Sequence, residues 1–524
     1  MRIRMQTDDR PGSLSKRRGK VLVTVIALLL LSSSLVSLKP VAASKKEQGM
    51  SLLELTASEA LDLMESGRLT SEEYVTALLE RADELESLNV FITRDSEAVL
   101  AAARLADERR RSGLPCGRLN GLPVIVKDNI DSADLPTTAG TPALQSNRPA
   151  GNAVVLQRLL DEGAILMGKS NLHELAFGAT NNNFAFGPVH NPYDTGMISG
   201  GSSGGTAAAI AARIVPVGLG TDTAGSVRVP AALSGTVGFR PSAGRYSRDG
   251  IILISETQDR VGTLARSVRD LVLLDRVMSE VGSHIHPINL RRVRLGIDRA
   301  NFVSNVDPSV AALFEQALAE LERKGVEIVE VSLMPHATFV STINALRFTI
   351  GFYEAPPNLT NYLQGVDPPL SLQGLAGQIA SPDVRGLFFN FFVPGAPLAV
   401  TPQAYQAGLA MRAILRNAYQ AVMTNHGLDG MLFPTTLLPA RPIGQDTTVE
   451  HNGQLVPTTL IYTQNVVPAS FAGLAGLSIP IGLTSAGLPV GIELDGLEGD
   501  DEKVLGIGLS IEKALDLLPP PPLP

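Results

Sequence analysis

The chain has 524 residues, a formal net charge of -8, and 44% hydrophobic against 18% charged residues. That balance excludes a disordered chain and, with no basic excess, gives no footprint for nucleic acid, so the expected partner is a small molecule. A single cysteine, Cys116, excludes an intrachain disulfide and a multi-cysteine metal site; no thiolate-activating motif surrounds it.

Lys16, Arg17, Arg18 and Lys20 precede an apolar run from Val21 to about Leu38, and Val41-Ala42-Ala43 follows with small residues. The pattern predicts an export signal over residues 1–43, cleaved after Ala43, and hence a periplasmic or secreted location. Thr24 and Ser32 to Ser34 interrupt the run, which weakens it as a permanent span. An uncleaved anchor is the alternative, and that signal is the one membrane contact expected.

A single domain is expected over residues 44–518, followed by an extended proline-rich tail over 519–524. Between Leu52 and Glu86 apolar and charged residues recur at helical spacing, with Thr56 and Thr70 as N-caps ahead of Glu59 and Glu73. Leu122 to Val126 predicts a buried strand ending at the polar Lys127-Asp128-Asn129. A helix over 153–162, a strand over 164–168 and a loop over 171–192 come next, then a helix over 203–213 and a strand over 214–219. The alternation is that of an α/β protein. Helices at 267–278 and 308–324 and a strand at 326–331 continue it. Between Tyr353 and Pro402 proline is frequent and periodicity fades, so irregular helices and loops are expected there on the substrate side. A helix over 405–424 and strands over 430–433, 477–483 and 488–494 close the domain.

Two glycine-cradled serine segments stand out: Gly200-Gly201-Ser202-Ser203-Gly204-Gly205, and Ser226 in Gly220-Thr221-Asp222-Thr223-Ala224-Gly225-Ser226-Val227-Arg228. The first fits the G-x-S-x-G nucleophile elbow with Ser203 at its centre, but that elbow follows a strand, and Asn191 to Gly196 reads as a loop. The elbow also needs a histidine, and His284, His286, His336, His426 and His451 have no distinctive setting. No Lys-Ser or Lys-Thr pair closes the glycines as a phosphate-binding loop requires. His173-Glu174 lacks the second histidine of a zinc helix, so neither metal nor cofactor is expected. Taken alone, a Gly-Ser run can be no more than a turn and a helix cap.

The full constellation is more specific. Gly200 to Gly205, Pro216, Gly218, Gly220-Thr221-Asp222, Gly225-Ser226, Arg228 and Pro230-Ala231, with Lys127 upstream, resembles the signature of the amidase signature family, with matching blocks from about Leu52 to Leu494. The resemblance implies an α/β fold: a large, mixed, mostly parallel sheet covered by helices on both sides. It further implies that Lys127, Ser202 and Ser226 are the lysine, the bridging serine and the nucleophilic serine, with a cis peptide bond before Ser202. The N–H groups of Thr223, Ala224, Gly225 and Ser226 would form the oxyanion hole; many relatives carry glycine at the position of Ala224, and a methyl group leaves the main-chain donors in place. Asp222 and Arg228 are expected to be a buried pair that orders the loop, and Asp128 to orient the lysine from behind.

A serine hydroxyl needs a base, and lysine is one only when neutral. Its ordinary pKa of about 10.4 must therefore fall by roughly three units, and burial behind Val124-Ile125-Val126 supplies a means. Within the family, Val237 to Pro241, Gly244 to Gly250 and Ala380 to Arg385 look most like the indoleacetamide and mandelamide hydrolases. The expected reaction is hydrolysis of an arylacetamide-type primary amide to carboxylate and ammonia through an acyl-enzyme. Phe177, Phe186, Met197 and the 353–402 segment are candidate pocket walls. A peptide amidase or broad acylamidase is the alternative inside the family, the export pattern speaking against a glutamyl-tRNA amidotransferase subunit. A catalytically silent binding protein on the same fold is the alternative outside it.

Overall fold

In the computed structural model, which describes residues 52–279, 285–515 and 518–523, Thr56 and Thr70 cap the helices Ala57–Glu65 and Ser71–Glu84. In each box the threonine hydroxyl accepts the N–H of the glutamate three residues on, and that glutamate accepts the threonine N–H at 2.9 Å. Two otherwise orphaned donors are thus satisfied at each helix start. The expected export signal and His284 lie outside the described residues. No helix among the described residues is long and apolar enough to cross a membrane.

Eleven strands form the central sheet: β1 (Phe91–Thr93), β2 (Pro123–Lys127), β3 (Ile165–Ser170), β4 (Val217–Asp222), β5 (Val237–Arg240), β6 (Arg260–Ala265), β7 (Arg294–Ile297), β8 (Glu327–Glu330), β9 (Gly430–Pro434), β10 (Ala475–Leu483) and β11 (Pro489–Gly496). Their spatial order is β1-β3-β2-β4-β6-β5-β10-β11-β9-β7-β8. This is the large mixed sheet of the expected α/β fold. Parallel pairing runs through β3-β2-β4 on one flank and β9-β7-β8 on the other, where helical crossovers link the strands. The other six neighbour pairs are antiparallel, the middle of the sheet being built from β6, β5 and the β10–β11 hairpin, whose short turn permits no parallel return.

Alternation along the strands puts helices on both faces. Ser478 and Gly491 lie against Ala232 of the helix Arg228–Ser234, whereas Leu477, one residue earlier, meets Gly508 of the helix Asp501–Ala514. Chain contacts group Met50–Pro524 as one unit, and the end of the chain is tied in where the Tyr193 hydroxyl donates to Pro519 O at 2.9 Å.

The 353–402 segment is more regular than its sequence suggests. It holds most of the helix Ile350–Gln364, then Leu372–Gln378, Pro382–Leu387 and a single π turn, Phe388–Phe392. Pro356 and Pro357 sit inside the first helix and hide its periodicity. Leu359, Leu363, Leu375, Phe388 and Phe392 nevertheless close a hydrophobic cluster of their own against Leu172 and Leu175.

Parallel register between β2 and β4 pairs Val126 with Leu219, so both strands finish side by side at Lys127 and at Thr221-Asp222. The carboxyl edge of parallel strands is where open α/β sheets place their ligand sites.

Candidate active site

Lys127 is completely buried at the end of β2. Its Nζ lies 2.7 Å from Ser202 Oγ and 2.9 Å from Thr221 Oγ1, with Thr221 O at 3.4 Å. Burial pulls the ammonium pKa down to about 7 against the opposing pull of Asp222 and Asp259. A neutral amine has two N–H groups and one lone pair. The two oxygens of Thr221 accept the N–H groups, which leaves the lone pair to face the hydroxyl of Ser202.

Ser202 follows a cis Gly201–Ser202 peptide bond and precedes the helix Gly204–Ala211. Glycine is required at position 201, since a Cβ there would come within about 3 Å of the backbone at Gly178, Ala179 and Asn181. The two serine segments are stitched together by Ser203 N–H, which donates to Ser226 O at 3.1 Å. Ser203 stands at the N-cap of that helix, but its hydroxyl donates to Thr221 O at 3.3 Å, and Asn181 Oδ1 accepts the Gly204 N–H instead. The centre of the apparent G-x-S-x-G match is therefore buried and bonded to backbone.

Past β4 the chain turns through Gly225 at φ +109°, a left-handed value that favours glycine, with Val466 closing the space where a side chain would stand. Asp222 orders this turn: its carboxylate accepts Gly225 N–H at 2.8 Å and Val227 N–H at 3.2 Å. Arg228 grips the same carboxylate with Nε at 3.0 Å and Nη2 at 3.1 Å, and reaches Glu493 with Nη1 at 2.9 Å. Burial by itself would raise the Asp222 pKa, but Arg228 and Arg240 outweigh it and hold the carboxyl below the usual range. Because Gly225 N–H is engaged, the four N–H groups expected to form an oxyanion hole reduce to three. Those of Thr223, Ala224 and Ser226 have no acceptor among the described residues.

Asp128 faces away from this chemistry. Its carboxylate pairs with Lys169 Nζ at 3.0 Å, both fully buried, and accepts the N–H and hydroxyl of Thr138. What steadies Lys127 is Thr221, itself held by Asn129 Nδ2 at 3.0 Å. Neither was singled out in the sequence, although both lie inside the polar strand ends that were. His173 and Glu174, read as failing a zinc pattern, act together as a clamp. Glu174 accepts the N–H groups of Ala380 and Ser381, and His173 Nε2 lies 3.1 Å from Asp383 Oδ2 while its backbone N–H donates to Ser202 O at 3.3 Å. Among the described residues no group of three acidic, histidine or cysteine side chains could hold a metal ion.

Thr223, Ala224 and Ser226 open onto a cleft of about 640 Å³. Phe177, Phe348, Phe352, Phe391 and Phe471 supply its aromatic walls; Phe348 and Phe352 meet edge to face at 5.3 Å, and Phe352 and Phe391 at 4.9 Å. The 353–402 segment thus contributes wall residues, as does Phe177. Phe186 and Met197 do not: Met197 packs instead against the hydrophobic cluster that includes Ile198, Leu437 and Val449, a bridge to Pro442 holding its backbone.

The family model for amidases matches residues 73–505. The chain belongs to the amidase signature family. It is 41% identical to an indoleacetamide hydrolase of Agrobacterium vitis over 85% of its own length and 93% of that relative. It is 38% identical to a mandelamide hydrolase of Pseudomonas putida over 90% of this chain and 93% of the other. Among solved structures it is similar to the native peptide amidase from Stenotrophomonas maltophilia, with 29% identity, a TM-score of 0.77, and coverage of 90% and 99% of the two chains. The enzyme is an amide hydrolase whose fold and family agree with the resemblance carried by its serine segments.

Proposed function

We propose that this amidase hydrolyses an arylacetamide-type primary amide to the carboxylate and ammonia through an acyl-enzyme on Ser226. The observation that carries the reading is the buried Lys127 Nζ at 2.7 Å from Ser202 Oγ, with its pKa lowered to about 7. Neutral Lys127 takes the proton of Ser202 as Ser202 takes that of Ser226, and Ser226 Oγ attacks the amide carbon. The oxygen of the tetrahedral intermediate is held by the N–H groups of Thr223, Ala224 and Ser226, each such donor being worth about 3–4 kcal/mol of barrier. Ser202 hands the proton to the departing nitrogen, which leaves as ammonia. A water molecule, deprotonated by the same relay, then releases the carboxylate and restores Ser226.

The aromatic cleft and the two hydrolase relatives support the aryl substrate. Ammonia release from phenylacetamide, mandelamide and an amidated peptide measures it: faster turnover of the arylacetamides is expected, whereas preference for the peptide amide would transfer the reading to peptide amidases. Activity on none of the three would leave a silent binding protein.

The base also sets a pH dependence. Lys127 acts only when neutral, so kcat/KM rises with pH by about tenfold per unit below 7 and levels off above it. A rising limb centred near pH 4 would instead assign the base to a carboxylate. Export through residues 1–43 belongs to the same proposal, and N-terminal sequencing of the mature enzyme, expected to begin at Ser44, decides it.

A further inference from the structure

The cleft contains a cation that the acyl-transfer chemistry does not use. Arg347, the last residue of the helix His336–Arg347, lines the same cleft as Ser226. Its Nη1 donates to Thr463 Oγ1 at 2.8 Å and its Nη2 to Leu460 O at 3.1 Å; both partners belong to the helix Thr458–Thr463 and also line the cleft. No carboxylate pairs with it among the described residues, and burial alone lowers its pKa to about 10. The two acids of the cleft wall are committed elsewhere, Asp383 to His173 and Asp446 to Thr180 Oγ1 and Asn182 Nδ2, each at 2.6 Å.

A guanidinium presents five N–H groups in a planar fork, and here two neutral acceptors engage only one on each terminal nitrogen. Nε–H and one N–H on each of Nη1 and Nη2 remain for a ligand. Of the buried arginines nearby, Arg228 meets Asp222 and Glu493 and Arg240 meets Asp222, whereas Arg260 donates to the backbone oxygens of Asp259 and Thr257. An arginine kept charged in an apolar cleft without such a partner is poorly compensated until a ligand supplies one.

We infer that Arg347 is a specificity determinant that binds a carboxylate carried by the substrate at a distance from its scissile amide. The substrate class this implies is an aromatic amide bearing an acidic group, the ring lying among the phenylalanines and the carboxylate on the guanidinium fork. The inference rests on the amidase reading of this cleft and adds to it the charge of the substrate.

Two arms test it. In the first, kcat/KM is measured for phenylacetamide and for its 3- and 4-carboxy derivatives, in the wild type and in Arg347→Gln. The wild type should prefer one carboxylated isomer, and the substitution should shrink that preference about 10- to 100-fold, as expected for a lost charge-assisted hydrogen-bond pair, with Arg347→Lys in between. Since each preference is a ratio within one protein, damage to folding or to the Thr463 contact lowers both rates and cancels. An unchanged ratio, or a wild type that prefers the neutral amide, would overturn the proposal by reducing Arg347 to a strut between two helices. In the second arm, calorimetry follows the carboxylated amides binding to Ser226→Ala protein with and without Arg347→Gln. A loss of affinity confined to them supports the carboxylate site, and equal affinity refutes it. Should the wild type hydrolyse no amide, the hydrolytic reading fails while this binding arm still decides Arg347.

Discussion

Under the proposed mechanism Ser226→Ala is expected to lower kcat for amide hydrolysis by at least about 10⁴-fold, and Lys127→Ala by a similar factor, because loss of either the attacking oxygen or its base would disable the relay as a unit. Ser226 lines the cleft while Lys127 is wholly buried behind Ser202, so the two lesions differ in their side effects. Removing the Ser226 hydroxyl deletes one atom from an open wall and should leave the thermal midpoint close to that of the wild type. Removing Lys127 empties a buried space and strands Ser202 Oγ, while Thr221 Oγ1 keeps Asn129, so some stability is lost with the activity. The double variant should be scarcely slower than either single one. Substitution of His173 separates this mechanism from a serine-histidine one: its backbone N–H, not its ring, reaches Ser202, and turnover should persist. A His173→Asn enzyme as slow as Ser226→Ala would return the base to a histidine.

Arg228→Met is expected to cost about 3–5 kcal/mol of stability, the typical penalty for leaving a buried charge without its partner. Arg228, Asp222 and Glu493 are fully buried, and the arginine is the bond between them. Burial has already pushed Glu493 up to about 7 and raised Asp495 well above its usual range, with Arg228 holding both down. Without the arginine the carboxyl groups around it protonate more readily in the folded state than in the unfolded one. A group whose folded pKa is raised loses stability as pH climbs from its unfolded pKa toward its folded one. The deficit of Arg228→Met should therefore grow between pH 5 and pH 8, and thermal unfolding at the two values checks it. Arg299→Ala is the control: its pairs with Glu315 and Glu330 are exposed, and such pairs contribute about 0–1 kcal/mol. A deficit equal to that of the control would mean that Arg228 does not organise the turn before Ser226.

Much of this site is local in origin and was legible for that reason. The capping boxes at Thr56 and Thr70, the apolar strand that ends at Lys127 and the glycines on either side of Ser202 each depend on neighbours within a few residues. Strand limits were less exact. The strand expected over 214–219 runs from Val217 to Asp222, because its partners in β2 and β6, not its own residues, decide where pairing stops. The helices after Ile350 were hidden because two prolines break the apolar period that their cluster nevertheless completes.

The sequence alone determined the family, the two serine segments, the upstream lysine and the alternating α/β order, all of which follow from residue types at fixed short spacings. Only the tertiary structure decided which groups touch across long separations. Asp128, adjacent to Lys127 in the chain, turns to Lys169, while Thr221 holds Lys127 Nζ from a neighbouring strand. One of the four expected oxyanion donors is taken by Asp222, and Arg347, with no motif around it, enters the cleft beside residues 460 and 463. The physical reason is the same in each case. Spacing along the chain fixes local geometry, but burial and the choice of hydrogen-bond partner are properties of the packed molecule.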